Sequence, residues 1–247
     1  MRGVRKVLRV LIGLSAAAFG YLGYLYLTLP DVSVLRTTNP TTTAFIDLRA
    51  MEARARGEAP RPRQRWVPYS RISPTLRRAV LVAEDGAFWK HAGIDVEQMR
   101  ASLEHDLERG RFSRGGSTIT QQLAKNLYLS PSKNPFRKLR ELLIARRLEA
   151  DLTKTRILEI YLNVIEWGDQ VYGAEAASRA YFGKPAAALE PGEAAMLAAC
   201  IINPRLLNPS KATPRLLRRQ RLILSRMGAV TPPPDTPAVS APVSPGM

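Results

Sequence analysis

The sequence is poor in cysteine and histidine, and these shortages restrict the chemistry that the chain can perform. Cys200 is the single cysteine, so an intrachain disulfide and a cysteine-rich metal site are both excluded. It lies inside an apolar run, which predicts a small core residue and not a nucleophile. His91 and His105 are the only histidines, and a zinc site built on histidine is therefore not expected.

Acidic residues are scarce relative to basic ones. The chain of 247 residues has 37 Lys and Arg against 21 Asp and Glu, which gives a formal net charge of +16. Such an excess indicates an anionic partner, which is nucleic acid, acidic lipid headgroups or a phosphate-bearing substrate. Composition alone does not choose among these three. The length accommodates one packed domain with a short appendage.

A long uncharged run occurs at the N-terminus. Residues 10–29 are mostly apolar and long enough for a helix to cross the hydrocarbon core of a membrane. Four basic residues lie within the segment 1–9, so the positive-inside rule places this segment in the cytoplasm and the rest of the chain outside. A cleaved signal peptide is the alternative, with small residues at 16–18. The apolar run continues past that position, which favours a retained transmembrane anchor.

After the anchor, helical periodicity dominates. Residues 30–66 form a polar connection, in which 42–48 have the pattern of a short strand. Residues 231–247 are rich in proline and predict a disordered tail. The domain between them, at 67–230, is predicted to be mainly α, with helices at 76–90, 96–109, 118–129, 137–152, 155–166, 174–181, 191–202 and 214–227.

Glu84 follows an apolar helical run and is the first candidate for catalysis. Glu84, Phe88 and His91 have i, i+4, i+7 spacing, which predicts a shared helical face. A carboxylate beside such a run should be partly desolvated, and this raises its pKa towards the range useful for proton transfer. The alternative is a surface Glu-Asp pair, Glu84 and Asp85, at the end of a helix.

A glycine-containing segment precedes the helix at 118–129. Two glycines let the backbone approach a ligand closely, and Thr118 with Gln121 has capping-box spacing. The N–H groups and the dipole at such a helix start favour an anion. Thr118, Gln122 and Lys125 follow one another at i, i+4, i+7 and line one stripe. The glycine spacing excludes a Walker A loop. An ordinary capped amphipathic helix is the alternative.

A cationic segment begins the helix at 137–152. Arg137, Glu141, Ile144 and Leu148 form one stripe, so Glu141 should face a partly apolar side. An Arg–Glu pair at i, i+4 is usually a surface salt bridge worth a few tenths of a kcal/mol. The alternative to a surface salt bridge is that these cations neutralise a diphosphate, to which arginine makes bidentate contacts. The S-x-x-K pattern at 130–133 is discounted because neither S-D-N nor K-T-G occurs.

Together these segments resemble the signature motifs of the family 51 glycosyltransferases, which polymerise peptidoglycan. The resemblance extends over about residues 31–227 and is strongest to the monofunctional members, which carry this domain on one N-terminal anchor without a transpeptidase domain. The residues that carry it are Glu84, Asp85, Phe88, His91 and Gly93 in the first motif, 115–126 in the second, Arg137, Lys138 and Glu141 in the third, 157–163 in the fourth, and the later blocks 173–183 and 193–209.

The resemblance implies a lysozyme-like fold and an inverting mechanism. Glu84 would be the general base that deprotonates the 4-hydroxyl of the acceptor GlcNAc, whose oxygen attacks the donor MurNAc and displaces undecaprenyl diphosphate. Glu141 would be a second catalytic carboxylate that orders the nearby cations or a divalent ion. The substrate-binding residues implied are Asp85, Phe88, His91, Ser117, Thr118, Gln121, Gln122, Lys125, Asn126, Arg137, Lys138, Tyr161 and Glu175.

The same resemblance implies the partners and the location. The substrates would be lipid II and the growing glycan strand, and wall-synthesis proteins would be partners. The protein would be a single-pass protein of the inner membrane with its catalytic domain in the periplasm. No cofactor is required, although the carboxylates and a diphosphate could recruit Mg²⁺ or Mn²⁺. No metal ligands are assigned.

Two other functions remain open. The first is a basic, anchored adaptor of nucleic acid or anionic lipid, in which basic residues should alternate with exposed aromatic ones. Here the aromatic residues lie mostly in the anchor or in apolar stripes, so a nucleic-acid partner is not expected. A lysozyme-like hydrolase is the nearer alternative, since it would use one glutamate in a similar helical fold. The cations Lys125, Arg137 and Lys138 argue against it, because a glycan-cleaving enzyme has no diphosphate to neutralise.

Overall fold

The computed structural model describes residues 2–109, 116–130 and 135–229 of the chain. Helices dominate these ranges, which confirms the predicted mainly α fold. The helices are α1 (Arg2–Leu27), α2 (Ala44–Ala55), α3 (Pro74–Glu84), α4 (Val96–Arg109), α5 (Ile119–Tyr128), α6 (Pro135–Asp151), α7 (Lys154–Val164), α8 (Ala174–Phe182), α9 (Pro191–Cys200) and α10 (Pro214–Arg226).

A small sheet joins the connection to the domain. Its strands are β1 (Arg63–Gln64), β2 (Glu166–Gly168) and β3 (Val171–Tyr172). The central strand β3 pairs in parallel with β1 and antiparallel with β2. Strands of two or three residues are too short to show the alternation that predicts a strand, so the sequence gives no sign of this sheet.

The connection at 30–66 contributes to the packed structure. The strand predicted at 42–48 is wrong, because this segment begins α2. The Thr43 hydroxyl accepts a hydrogen bond from the Ile46 N–H at 3.1 Å. This bond caps the start of the helix, a position at which threonine is favoured. Val32 and Leu35 are buried in the main hydrophobic core. Packing therefore begins well before residue 67.

The helix predicted at 76–90 ends early, and the shared face predicted for Glu84, Phe88 and His91 is wrong. Helix α3 stops at Glu84, where Asp85 turns to φ −162° and ψ 79°. The Asp85 carboxylate accepts a hydrogen bond from the Ile119 N–H at 2.9 Å, in the first turn of α5. This contact satisfies a helix N-terminus elsewhere in the fold and draws the chain out of helical geometry after Glu84.

Helix α5 lies near the centre of the domain, between α6, α7 and α2, while α3, α9 and α10 pack together beside it. One continuous core connects these groups. Cys200 is completely buried in it, which confirms the predicted role as a small core residue. Burial raises the pKa of this thiol to about 12, so it stays protonated near neutral pH.

Helix α1 is the one described helix that is long and apolar enough to cross a membrane, over Gly3–Leu27. The chain just after it is attached to α6, because Arg140 Nη2 donates to the Thr28 carbonyl at 2.6 Å. The rings of Tyr21 and Phe136 also meet edge to face at 5.0 Å. Predictions for Gly115, 131–133 and the tail at 231–247 concern residues outside the described ranges.

Candidate active site

Glu84 is a largely buried carboxylate held between two helices. Its side chain is 12% exposed. Gln122 Nε2 on α5 donates to Oε2 at 2.9 Å, and Arg219 Nη2 on α10 lies 3.5 Å from Oε1. Burial raises the pKa of Glu84, while Gln122, Arg219 and Lys125 act in the opposite direction. The net change is upward, which confirms the raised pKa predicted from the apolar run.

Tyr161 determines the orientation of Gln122. The Tyr161 hydroxyl donates to Gln122 Oε1 at 2.8 Å, and Tyr161 is completely buried. An amide whose oxygen accepts this bond must turn its nitrogen towards Glu84. Burial raises the pKa of the Tyr161 hydroxyl well above its usual value, so the group keeps the proton that it donates.

Asp85 and His91 form a buried support beside Glu84. Asp85 is completely buried, and His91 Nε2 lies 2.9 Å from its Oδ1. The Gly93 N–H donates to His91 Nδ1 at 3.2 Å, which places the imidazole proton on Nε2, where it is donated to Asp85. With the bond from Ile119, these contacts attach the loop after α3 to the start of α5.

Phe88, another residue of the first motif, belongs to the core. It is completely buried and packs against Trp89, with ring centroids 5.0 Å apart. The ammonium of Lys154 lies 4.3 Å from the centroid of its ring. The loop that follows Glu84 is therefore held by an apolar side chain as well as by hydrogen bonds.

One group of side chains in the described ranges could hold a metal ion by its geometry. The possible ligand atoms of Asp85, His91 and Asp95 lie within 4.8 Å of one another. Both nitrogens of His91 are already engaged, and Asp95 Oδ1 accepts a hydrogen bond from the Gln98 N–H at 2.8 Å. A metal would displace these bonds, so the group fits a hydrogen-bonded support better than a metal site.

Glu141 gathers two cations at the start of α6. Arg137 Nη1 donates to Glu141 Oε2 at 2.9 Å, and Lys138 donates to the other oxygen. Glu141 is 3% exposed, and Ile144 and Leu148 on the same stripe are completely buried. The predicted partly apolar face is confirmed. The pair is therefore much less exposed than a usual surface salt bridge.

Lys138 also connects α6 to the beginning of α5. Its ammonium donates to Ser117 Oγ at 3.2 Å and to Gln121 Oε1 at 3.4 Å. These are two of the polar side chains predicted to bind substrate. They lie together with the cations in the structure.

Lys125 lies within electrostatic reach of both carboxylates. Burial lowers its pKa, Glu141 and Glu84 raise it, and Arg137 and Lys138 lower it further. Lys125 thus connects the environment of Glu84 with the cations of α6.

A cleft of about 360 Å³ opens beside these groups. Gln122, Lys125, Asn126 and Tyr161 contribute to its wall. Glu84 lies behind this wall and is bonded to it through Gln122. The remaining wall combines charged, amide and apolar side chains, which are Phe45, Arg49, Ile165, Glu166, Ile201, Ile202, Asn203 and Pro204. A cleft with this mixture suits a polar, elongated ligand.

Thr118 and Glu175, like Asp85 and His91, are predicted substrate-binding residues whose polar atoms are engaged within the fold. Thr118 accepts a hydrogen bond from the Gln121 N–H at 3.2 Å and donates to the Gly93 carbonyl at 2.7 Å. Glu175 lies apart from the group around Glu84. Its oxygens accept hydrogen bonds from Arg179 Nε at 2.6 Å and from the Ala186 N–H at 2.7 Å.

Arg49 lines the cleft and Arg219 contacts Glu84, so both belong to the site. Neither is among the residues predicted from the sequence. Arg219 lies between the buried Leu216 and Ile223 on α10, and a charge within an apolar stripe is a detectable signal. Arg49 lies in the connection, where the sequence predicts no helix. Its contact with Glu166 is 117 residues distant in sequence and leaves no local pattern.

Comparisons with known proteins agree with this geometry. Residues 52–228 match the family described as Transglycosylase. A biosynthetic peptidoglycan transglycosylase of Nitrosospira multiformis is 47% identical over 195 residues, which cover 79% of this chain and 85% of the relative. Proteins of the same description from Nitrosomonas eutropha (46% identity; 90% of this chain, 89% of the relative) and Laribacter hongkongensis (43% identity; 94% and 98%) are also similar.

The helical fold and the site define a lysozyme-like glycosyltransferase domain. The family match covers most of the chain, and several relatives are similar over most of their length. These two findings identify the family as well as the class of the protein. The chain belongs to the transglycosylase family. The family and the enzyme class predicted from the motifs are thereby confirmed.

Proposed function

We propose that the protein polymerises lipid II into the glycan strands of peptidoglycan and that Glu84 is the general base. The observation that carries the proposal is a buried carboxylate of raised pKa, held by Gln122 and electrostatically coupled to Lys125 beside an open cleft. Relatives described as biosynthetic peptidoglycan transglycosylases support the substrate class.

Glu84 takes the proton from the 4-hydroxyl of the acceptor GlcNAc. The oxygen then forms a bond to the anomeric carbon of the donor MurNAc, while the bond from that carbon to the diphosphate breaks. Attack from the face opposite the leaving group converts the α linkage to β. A raised pKa makes the Glu84 carboxylate a stronger base than an exposed glutamate.

The diphosphate that leaves gains negative charge as its bond breaks. Lys125, Arg137 and Lys138 supply positive charge near Glu141, and partial burial strengthens their attraction for a phosphate oxygen. Glu141 acts by ordering Arg137 and Lys138. We propose that three polar side chains bind sugar or phosphate oxygens. Ser117 and Gln121 lie beside Lys138 at the start of α5, and Asn126 lines the cleft.

Within the described residues, Glu84 and Glu141 have partners that would compete with a divalent ion. Glu141 is already paired with two cations, and Glu84 is held by Gln122 and Arg219. We therefore assign no step to Mg²⁺ or Mn²⁺. Any ion would have to be held mainly by the diphosphate of the substrate, with the side chains of the site unchanged.

Helix α1 keeps the enzyme at the membrane where its substrate lies. We propose that residues 1–9 are cytoplasmic and that the domain faces the periplasm across the inner membrane. The bond from Arg140 to the carbonyl of Thr28 brings the cationic start of α6 close to the end of the anchor. We therefore propose that these cations lie near the lipid surface, where a diphosphate headgroup would meet them.

Polymerisation of fluorescent lipid II by the full-length protein in vesicles tests the proposal. We expect wild-type protein to make long glycan and Glu84→Gln to be slower by about 100-fold or more, the range for loss of a general base. Glu58→Gln is the control, because Glu58 is an exposed carboxylate paired only with Arg56 in the described ranges. Shortening of added glycan would instead support a hydrolase.

A further inference from the structure

Arg219 contacts the proposed base from a helix that none of the predicted motifs includes. It lies on α10, which packs against α9 and α3. Its side chain is 29% exposed, and Nη2 lies 3.5 Å from Glu84 Oε1. Its Nε atom is buried without a hydrogen-bond partner in the described ranges. Glu84 is the one carboxylate that forms an ion pair with Arg219 in those ranges.

We infer that Arg219 is a positioning residue that holds the Glu84 carboxylate through Oε1 and keeps it ionised within its buried surroundings. This inference rests on the proposed function of Glu84 as the base. Arg219 does not touch the reacting atoms and acts through Glu84.

The geometry separates the tasks of the two Glu84 oxygens. Gln122 holds Oε2 with a hydrogen bond of 2.9 Å, whereas Arg219 approaches Oε1 at 3.5 Å. The longer distance is at the limit of a hydrogen bond, so the interaction is mainly electrostatic. Oε1 therefore retains the capacity to accept a proton from an acceptor hydroxyl while the positive charge stays close.

Several charged and titratable groups act on Glu84, and in the described ranges the cations among them are Lys125 and Arg219. Lys125 approaches from α5 and Arg219 from α10, while Asp85 follows in the chain and Tyr161 lies on α7. The thiol of Cys200 on α9 is near Arg219 and stays protonated, since burial raises its pKa to about 12. Lys125 also interacts with Glu141 and would be drawn to a diphosphate, so Arg219 is the cation dedicated to Glu84.

Removal of Arg219 should change the pH dependence of the reaction. Glu84 acts as a base only when ionised, so kcat/KM falls as the pH drops through the pKa of Glu84. Burial already raises this pKa, and the charge of Arg219 opposes the rise. Without that charge the pKa rises further, and the acid limb of the profile moves to higher pH.

The test measures kcat/KM for lipid II polymerisation by full-length protein from about pH 5 to about pH 9. We expect Arg219→Gln to lose about tenfold on the acid side, equivalent to a shift of about one pH unit, and to recover at high pH. Arg219→Lys should recover much of the loss. Arg221→Gln should match wild type, because Arg221 is an exposed arginine on the same helix.

A carbon-13 NMR titration of the Glu84 carboxyl gives a readout that needs no turnover, with Glu84→Gln assigning the signal. The midpoint should be higher in Arg219→Gln than in wild type. Arg219→Met replaces this variant if the glutamine protein does not fold. An unchanged midpoint, or a loss of activity that is equal at every pH, would overturn the role of Arg219. An active Glu84→Gln protein would overturn the proposed function instead.

Discussion

Glu84 is buried, and the neighbouring positive charges offset only part of the effect of burial on its pKa. A buried carboxylate without cations would remain protonated, whereas one in a tight salt bridge would be a weak base. Burial raises the pKa of Glu84 by more than Gln122 and Arg219 lower it, so the net shift is upward. The residue is therefore a stronger base than an exposed glutamate.

Tyr161→Phe tests whether the orientation of Gln122 matters. Loss of the hydroxyl removes the bond to Gln122 Oε1, so the amide is free to rotate away from Glu84. We expect kcat to fall by about fivefold, since one such bond is worth about 1 kcal/mol. Tyr181→Phe is the control, because its hydroxyl donates to the Trp167 carbonyl at 3.3 Å instead. Equal effects in the two variants would argue against this role.

Lys125→Ala tests the stabilisation of the leaving group. We expect polymerisation to slow by about 100-fold, as for the loss of other groups that stabilise charge in a transition state. Lys211→Ala removes the same charge from an exposed position and should leave the rate near that of wild type. The measurement is the initial rate with lipid II in vesicles. Comparable losses in both variants would show that only the overall charge matters.

At the scale of elements, the loop after α3 fastens this helix to α5. Asp85 carries the attachment through Ile119 and His91, and it also ends the helix that carries Glu84. The position of Glu84 relative to Gln122 therefore depends on a neighbour that is itself buried away from the cleft.

Asp85→Ala should destabilise the protein as well as reduce its activity. The substitution leaves the Ile119 N–H buried without its partner, which costs about 1–3 kcal/mol. We expect a clear fall in the midpoint of thermal unfolding. Asp47→Ala, which removes an exposed contact with Thr42, should change it little. An Asp85→Ala protein as stable as wild type would show that the attachment is unimportant.

Local sequence patterns predict the individual helices better than the contacts between them. The apolar stripe of α6 follows from sequence spacing, and Ile144 and Leu148 are buried as that spacing predicts. Helical spacing fails after Glu84, because Asp85 serves a helix that begins 34 residues later. The contact between Arg219 and Glu84 joins residues 135 apart and depends on tertiary packing, so no local pattern contains it.

At the scale of the whole molecule, the chain that follows α1 is packed into the domain. Val32 and Leu35 continue from the anchor into the main core, and Arg140 on α6 holds the carbonyl of Thr28. The site is thus kept at a defined distance from the end of α1. In the proposed function, confinement at the membrane raises the effective concentration of the lipid-linked substrate.

Deletion of residues 2–24 tests the contribution of the anchor. The truncated domain retains Leu29, Val32 and Leu35 of the core and should fold, but it should no longer float with lipid vesicles. Polymerisation of vesicle-bound lipid II should slow by about tenfold or more, because the substrate is no longer confined beside the site. A truncated protein that stays with the vesicles would show that other surfaces bind the membrane.

The most direct test of the central claim measures binding and turnover on the same sample of Glu84→Gln. If Glu84 is the base, the variant should bind lipid II within about twofold of wild type, since the amide preserves size and polarity, yet form almost no glycan. Glycan formed at the wild-type rate would contradict this claim. Binding lost in proportion to turnover would contradict it as well, because Glu84 would then hold the substrate without performing the proton transfer.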